Sequence, residues 1–313
     1  MVATQWLVWI VPMAVTLDLM LGDPRWMPHP VRWLGLLLSR LEERARAFGA
    51  TRVTGVASLA ALLLVTGAGA AVLCSIPRLG PFLALYLAYA GLALGSLLHE
   101  GGKALAAIEH GTLAEGREAV AMLVSRDTTV LDQPGLRRAL AETLAENFND
   151  GFVAPLFWLV AGGPVALWLY KAVSTVDSMW GYRTERWANL GWAGAKLDDA
   201  LAWLPARLCV ALLWATAPLS GVRGAWPGMP RVASDARQME SPNAGWPMAA
   251  AAWLHRGRMG GPTVYFGTIK QKPILGPVDG EWDEPTLKML MHHLRIAGLA
   301  GTFILWVASM LVR

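Results

Sequence analysis

Hydrophobic and polar positions alternate along this chain on the scale of whole helices. Residues 2–21, 53–74, 80–98 and 294–312 are each apolar over the roughly 20 residues a helix needs to cross a lipid core. Two further apolar runs are compromised. The run 152–176 contains Gly162-Gly163-Pro164, which breaks or kinks a helix, and 205–220 is short and carries Arg207 near its start. Between them, 32–52 reads as an amphipathic, Arg-rich helix with Arg40, Glu43, Arg44 and Arg46, while 221–293 reads as a soluble loop rich in Gly and Pro. The pattern predicts an all-α fold: one polytopic membrane helical bundle over 1–313, with amphipathic and cytoplasmic helical segments.

The stretch from Glu142 to Tyr182 organises the rest. Glu142, Glu146 and Asp150 are spaced by four and share a helical face, with Leu140, Leu144 and Phe148 as an apolar stripe opposite. A solvated face on an amphipathic helix explains that spacing equally well. Polar residues, however, press on the next apolar run from both sides: Lys171, Asp177, Ser178, Tyr182 and Arg183 cluster at its far end. Polar groups at a membrane boundary are costly and mark function. Asp18, inside the first run, either snorkels to the interface or faces a polar cavity. After it, Pro24, Pro28 and Pro30 hold Asp23, Arg25, His29 and Arg32 on a stiffened loop.

Composition agrees with lipid as the place of burial. Charged residues are 16% of the chain, against roughly 25% in soluble proteins, and mean hydropathy is +0.40. The 16 Trp suit membrane–water interfaces. A net charge of +4 does not imply nucleic acid, because the basic residues lie between apolar spans, as the positive-inside rule expects. Cys74 and Cys209 fall inside apolar segments and read as core residues, without disulfide or zinc spacing. The first apolar run lacks a cleavage pattern and reads as a retained anchor. If all six runs cross, Lys171, Arg183, Arg186 and Lys196 lie outside. If 152–176 turns back and 205–220 stays shallow, four crossings leave almost every basic loop inside, and this arrangement is the expectation.

Familiar catalytic motifs do not fit. HEGGK has the wrong glycine spacing for a phosphate loop, and no zincin, Ser-His-Asp elbow or dinucleotide fingerprint occurs. DGFVAP lacks the Arg that opens a CDP-alcohol phosphotransferase motif. VSRDT sets Ser125, Arg126, Asp127 and Thr128 side by side, which suits phosphate and metal, or equally a capped helix end. Carboxylates beside cations suit Mg²⁺ and phosphate.

Seven blocks, in order, carry a resemblance: LDLMLGDP…PHPV, VSRDT, ETLAENFNDGFVAPLFW, YKAVSTVDSMWGYR, LGWAGAKLDD, LPARL and SPNAGW. Together they resemble the CobD/CbiB family of cobalamin biosynthesis, the adenosylcobinamide-phosphate synthases. The resemblance implies a multi-pass enzyme of the cytoplasmic (inner) membrane, its main loops facing the cytoplasm. It implies an ATP- and Mg²⁺-dependent ligase that joins a corrinoid carboxylate, that of (adenosyl)cobyric acid, to aminopropanol or its phosphate as an amide. Partners would be membrane lipid, the two small-molecule substrates and other cobalamin-pathway membrane proteins. At matched positions, Asp127, Glu146, Asp150, Asp177, Asp198 and Asp199 become metal candidates. Arg126, Lys171, Arg183 and Arg207 become phosphate or carboxylate contacts, the first three catalytic, and His29 the amine base. Asn147, Ser178, Tyr182, Asn243 and Trp246 become substrate contacts, with Trp180 and Trp192 as further surfaces for the macrocycle. Three positions depart from the family pattern: Met239 or Glu240 where a His is expected, Met248 where an acid is common, and Ser174 for Asn. They bear on the choice of amino alcohol. The competing class is a non-catalytic membrane signalling protein of a related family.

Overall fold

Four helical stretches are long and apolar enough to cross a membrane: Arg52–Ser75, Gly80–His110, Gln133–Trp180 and Glu284–Leu311. A fifth forms if Trp192–Leu201 and Trp203–Thr216, bent by 41°, count as one span. The computed structural model describes residues 7–24, 26–182, 184–222, 228–265 and 267–311. Its helices are α1 (Leu7–Leu21), α2 (Pro30–Ala47), α3 (Arg52–Ser75), α4 (Gly80–Ala90), α5 (Leu94–His110), α6 (Leu113–Ala121), α7 (Gln133–Phe148), α8 (Ala154–Trp180), α9 (Trp192–Leu201), α10 (Trp203–Thr216), α11 (Met229–Ala236), α12 (Gly245–His255) and α13 (Glu284–Leu311). A π turn, Asn149–Val153, joins α7 to α8, and one hairpin pairs β1 (Met259–Tyr265) with β2 (Thr268–Leu275). The fold is therefore mostly helical, as the apolar periodicity predicts. The hairpin corrects the reading of 221–293 as loop: alternating, β-branched TVYFGTIK folds back on itself around Gly267, which holds a left-handed φ of 76°.

The chain divides into two compact units. The first comprises Met1–Ala93, Ala154–Ala202 and Thr302–Arg313. Its hub is α8, against which α1, α2, α3, α4 and α9 all pack. This helix breaks at Gly162 and Gly163, the latter at φ 70° and ψ −165°, a conformation that only glycine adopts readily. Large apolar side chains on α3 point outward, Leu64 at 72% and Val72 at 61% exposure, and Phe303 on α13 does the same at 62%. Water makes such a surface unfavourable, whereas lipid covers it without cost.

The second unit comprises Leu94–Val153 and Trp203–Gly301. Here α7 is the hub, packed on α5, α6, α12 and β1. Asp132 caps it by accepting from the Gly135 amide at 2.9 Å, with Pro134 in the first turn. Arg137 on α7 grips Glu109 on α5 through two hydrogen bonds, at 2.7 and 2.5 Å. Residues 139–145 of α7 are all buried, so the apolar stripe of Leu140, Leu144 and Phe148 packs inside, and the alternative of a solvated acidic face fails at Glu142.

Candidate functional site

Glu142 is fully buried and ionically satisfied. One carboxylate oxygen accepts from the Arg126 guanidinium, also nearly buried, and the other accepts from the Gly260 amide at 2.7 Å. That amide is free for the purpose because a register irregularity between Met259 and Gly261 takes it out of the hairpin ladder. The Asp127 amide in turn donates to the Val264 carbonyl at 2.9 Å, fixing the VSRDT loop to β1. Glu146, one turn along α7, lies in the electrostatic reach of Lys272, Glu142 and Arg126. Two carboxylates and two cations thus lie close enough to feel one another's charge. Sequence reasoning named Arg126 and Glu146 but missed Lys272, which sits on a strand with no motif around it.

A second constellation surrounds Arg207. Its guanidinium lies over Trp203 and Trp246, at 4.7 and 4.6 Å from the ring centroids. It donates to the Asn243 side-chain oxygen at 2.7 Å and to the carbonyls of Trp203 and Pro242 at 2.9 and 3.1 Å. All these acceptors are neutral, and among the described residues no carboxylate pairs with it. The guanidinium is thus half-buried against two indoles, with no carboxylate partner among the described residues.

In the first unit, two tyrosines of α4 hold the chain on either side of the 22–30 loop: Tyr89 donates to the Gly22 carbonyl at 2.6 Å, and Tyr86 to that of Pro28. His29 caps α2 through Nδ1, which accepts from the Val31 amide at 3.3 Å, and its Nε2 stands 3.3 Å from Asp23. Burial lowers its pKa despite that carboxylate, with Lys171 contributing in the same direction as burial. Asp18 is buried in the unit, which answers the choice left by its position: it does not snorkel outward. Farther along α8, Asp177 faces Asp199 of α9 closely enough to feel its charge. Two glycines make this meeting feasible. A Cβ on Gly194 would stand 2.3 Å from Val176 Cγ1, and one on Gly191 would stand 1.9 Å from the Trp180 carbonyl oxygen.

Other expected residues are placed differently. Asp127 accepts from the amide and hydroxyl of Thr129, at 2.9 and 2.6 Å, and these bonds lower its pKa. Asp150 accepts from Asn149 at 2.7 Å and lies near Cys209. The exposed Asn147 donates to Thr143 at 2.9 Å, Ser178 is exposed, Tyr182 is 39% exposed, and Asp198 is half-buried beside Asp199. Arg183 lies outside the described residues. Trp180 is fully buried and stacked on Trp187 at 6.1 Å, so it is core and offers no surface to a macrocycle. Met248, in the place of an acid, is likewise buried. Among the described residues, no group of three or more His, Cys, Asp or Glu side chains stands ready for a metal ion. Mg²⁺ asks for less, often one or two carboxylates completed by phosphate and water. The Asp177–Asp199 pair fits that demand.

The pairings follow the conspicuous blocks of the sequence. VSRDT meets ETLAEN through Arg126 and Glu142, LPARL meets SPNAGW through Arg207 and Asn243, and TVDSM meets AKLDD through Asp177 and Asp199. Several helices long and apolar enough to cross a membrane mark a multi-pass membrane protein. The CobD/Cbib protein family profile matches residues 11–295, and the chain belongs to this family. Similar proteins include "Cobalamin biosynthesis protein CobD" of Pelobacter propionicus, 41% identical over 87% of each chain. The protein of that name in Geobacter metallireducens is 40% identical over 90% of this chain and 91% of its own. The one in Yersinia enterocolitica is 36% identical over 96% of both. No solved structure matches the chain.

Proposed function

We propose that this chain acts in cobalamin biosynthesis as an adenosylcobinamide(-phosphate) synthase, an ATP-dependent acid–amine ligase. It would join the free carboxylate of (adenosyl)cobyric acid to (R)-1-amino-2-propanol or its O-phosphate. Arg207 carries the reading: a cation stacked between Trp203 and Trp246, in two family-matching blocks, with only neutral acceptors around it. That arrangement suits a substrate carboxylate beside a large flat ring system.

A carboxylate and an ammonium do not condense in water, so the acid needs activation and the amine must lose a proton. When bound, Mg²⁺ and ATP supply a phosphoryl group and charge neutralisation for that activation. Asp177 and Asp199 would hold the ion, with Asp198 next to them, and Lys171 would bind phosphate oxygens. Arg207 and Trp246 would orient the corrinoid, while the exposed Asn147 of the same unit offers a hydrogen bond to its amide side chains. Arg126, locked to Glu142, fixes the VSRDT loop and its Asp127. His29 has Nδ1 occupied by the helix cap and Nε2 directed at Asp23, an arrangement that suits positioning of the loop better than accepting a proton from an amine. The reading places the chain in the cytoplasmic membrane with its main loops inside, where the nucleotide is.

Membranes containing the protein, mixed with cobyric acid, either amine and MgATP, should yield the cobinamide product by mass spectrometry. Arg207→Ala and Asp177→Asn should each lower turnover by about a hundredfold or more, in the range for lost electrostatic contacts, with unchanged melting in detergent. Absence of product with both amines, or full turnover in Arg207→Ala, would overturn the reading.

A further inference from the structure

The last turns of α2, the first turn of α3 and the segment 186–192 after α8 come together in the first unit. Helix α2 packs on α3 and α8, with Leu34, Leu38 and Ala45 on its buried side. Glu42 clips it to the segment beyond α8. Its Oε1 accepts from Arg46 and from Arg186, each at 2.8 Å, and Arg46 donates further to the Arg186 carbonyl at 3.1 Å. Both guanidiniums lie over the Trp187 ring, 4.9 and 4.7 Å from its centroid. On α3, a Cβ at Gly55 would stand 2.3 Å from the Leu190 carbonyl oxygen, so the two backbones touch, and Arg52 lies over Trp192 at 5.1 Å.

The side of α2 that this clip leaves outside mixes cations with large apolar groups. Trp33, Leu36, Arg40 and Arg44 follow one another at intervals of three and four, so they form one stripe along the helix, and all four are exposed. Phe48, directly after the helix, is 81% exposed, and Val53, beside Arg52, is 77% exposed. A solvated face explains the arginines but not the indole, leucine and phenyl groups among them, which water disfavours. Arg40, Arg44 and Arg52 form no ion pair among the described residues. The two carboxylates of α2 do not offset them: Glu42 is engaged by Arg46 and Arg186, which leaves only Glu43. The outward side chains of α3 begin at Val53, so Arg52 stands where the hydrocarbon begins and α2 lies at that level.

We propose that this surface binds the phosphodiester headgroups of anionic phospholipids, with Arg40, Arg44 and Arg52 on the phosphates and Trp33, Leu36 and Phe48 in the outer acyl region. A guanidinium fork matches two phosphate oxygens. Each arginine near an anionic lipid surface adds about fivefold in affinity. Neutral lipid offers the apolar half of this match without the charge. None of these six residues takes part in the proposed reaction, and the surface lies within the first unit.

The full chain is reconstituted in nanodiscs of equal phosphatidylglycerol and phosphatidylcholine, without ATP or corrinoid, and the lipids it retains on release are counted by native mass spectrometry. Retained phosphatidylglycerol should exceed phosphatidylcholine roughly tenfold or more. Arg40→Gln with Arg44→Gln should lower that ratio by about tenfold without changing the melting temperature, because neither side chain holds a partner. Arg40→Lys with Arg44→Lys should keep most of the preference, since the charge remains. Equal retention of the two lipids by the wild type, or an unchanged ratio in the glutamine variant, overturns the proposal. Displacement of the retained lipid by sn-glycerol 3-phosphate would make this a site for a soluble phosphate and overturn the lipid assignment. The same spectra give the mass of the assembly: a dimer that the glutamine variant splits would make the surface a contact between copies, which also overturns it.

Discussion

At the scale of single residues, the chain concentrates its risk in buried charge. Glu142 is satisfied by Arg126 and by the Gly260 amide, so Glu142→Gln breaks a nearly buried ion pair. The loss should be about 3–5 kcal/mol, read as a lower denaturation midpoint in detergent, and the double change Arg126→Met with Glu142→Leu should recover much of it. His255 makes the opposite kind of demand. Its folded pKa of about 3 lies below the ordinary value of 6.5, so on acidification the unfolded chain takes up a proton that the native chain refuses. Stability is complete above pH 6.5 and declines as pH falls toward 3. The melting temperature should drop between pH 7.5 and 5 by the equivalent of about 1–2 kcal/mol, and His255→Phe should flatten that decline. Neither feature was legible in the sequence. The spacing of Glu142 and Glu146 fits a solvated face, and nothing local reveals that an arginine 16 residues before and an amide 118 residues after converge on one carboxylate. The hydrogen-bonded pair of His255 and His293, 38 residues apart, has no periodicity to announce it.

At the scale of elements, more could be read. Gly162-Gly163-Pro164 marks a helix break by composition alone, and the long apolar runs marked their helices, because both signals are local. The hairpin was missed although its alternation is also local: the glycines and prolines around it look like loop. The meeting of α8 with α9 is a tertiary fact. It depends on Gly191 and Gly194, since a Cβ at Gly191 would fall 1.9 Å from the Trp180 carbonyl oxygen, a backbone atom that no rotamer change can move. Gly191→Ala should therefore displace the start of α9 and with it Asp199. The proposed outcome is a rise in the Mg²⁺ concentration needed for half-maximal turnover, larger than the rise in KM for either organic substrate. An equal effect on all three would mean that the glycine serves stability alone.

At the scale of the whole molecule, the open question is which compartment each loop faces, and charge and hydrophobicity together make a definite prediction. The turn between α3 and α4, Ser75 to Leu79, carries one arginine, Arg78, while the segments around 22–51, 111–132 and 228–283 carry most of the others. Lipid-facing side chains on α3 require that helix to lie in the hydrocarbon, so its two ends lie on opposite sides. The positive-inside rule then assigns the Arg-rich end, Thr51 and α2, to the cytoplasm and the Arg78 turn to the outside. With Cys74 and Cys209 replaced by Ala, single cysteines at Ser75, Thr51, Thr112 and Asp279 report the arrangement. An impermeant maleimide applied to intact cells should modify only the Ser75 position, and the others should react after permeabilisation. Ser178 decides the path of α8: protection in intact cells fits a run that turns back at Gly162–Gly163, whereas labelling from outside makes α8 a full crossing. That second result would also put Asp177 in the wrong compartment for a cytoplasmic nucleotide, so one cysteine tests the topology and the proposed chemistry together.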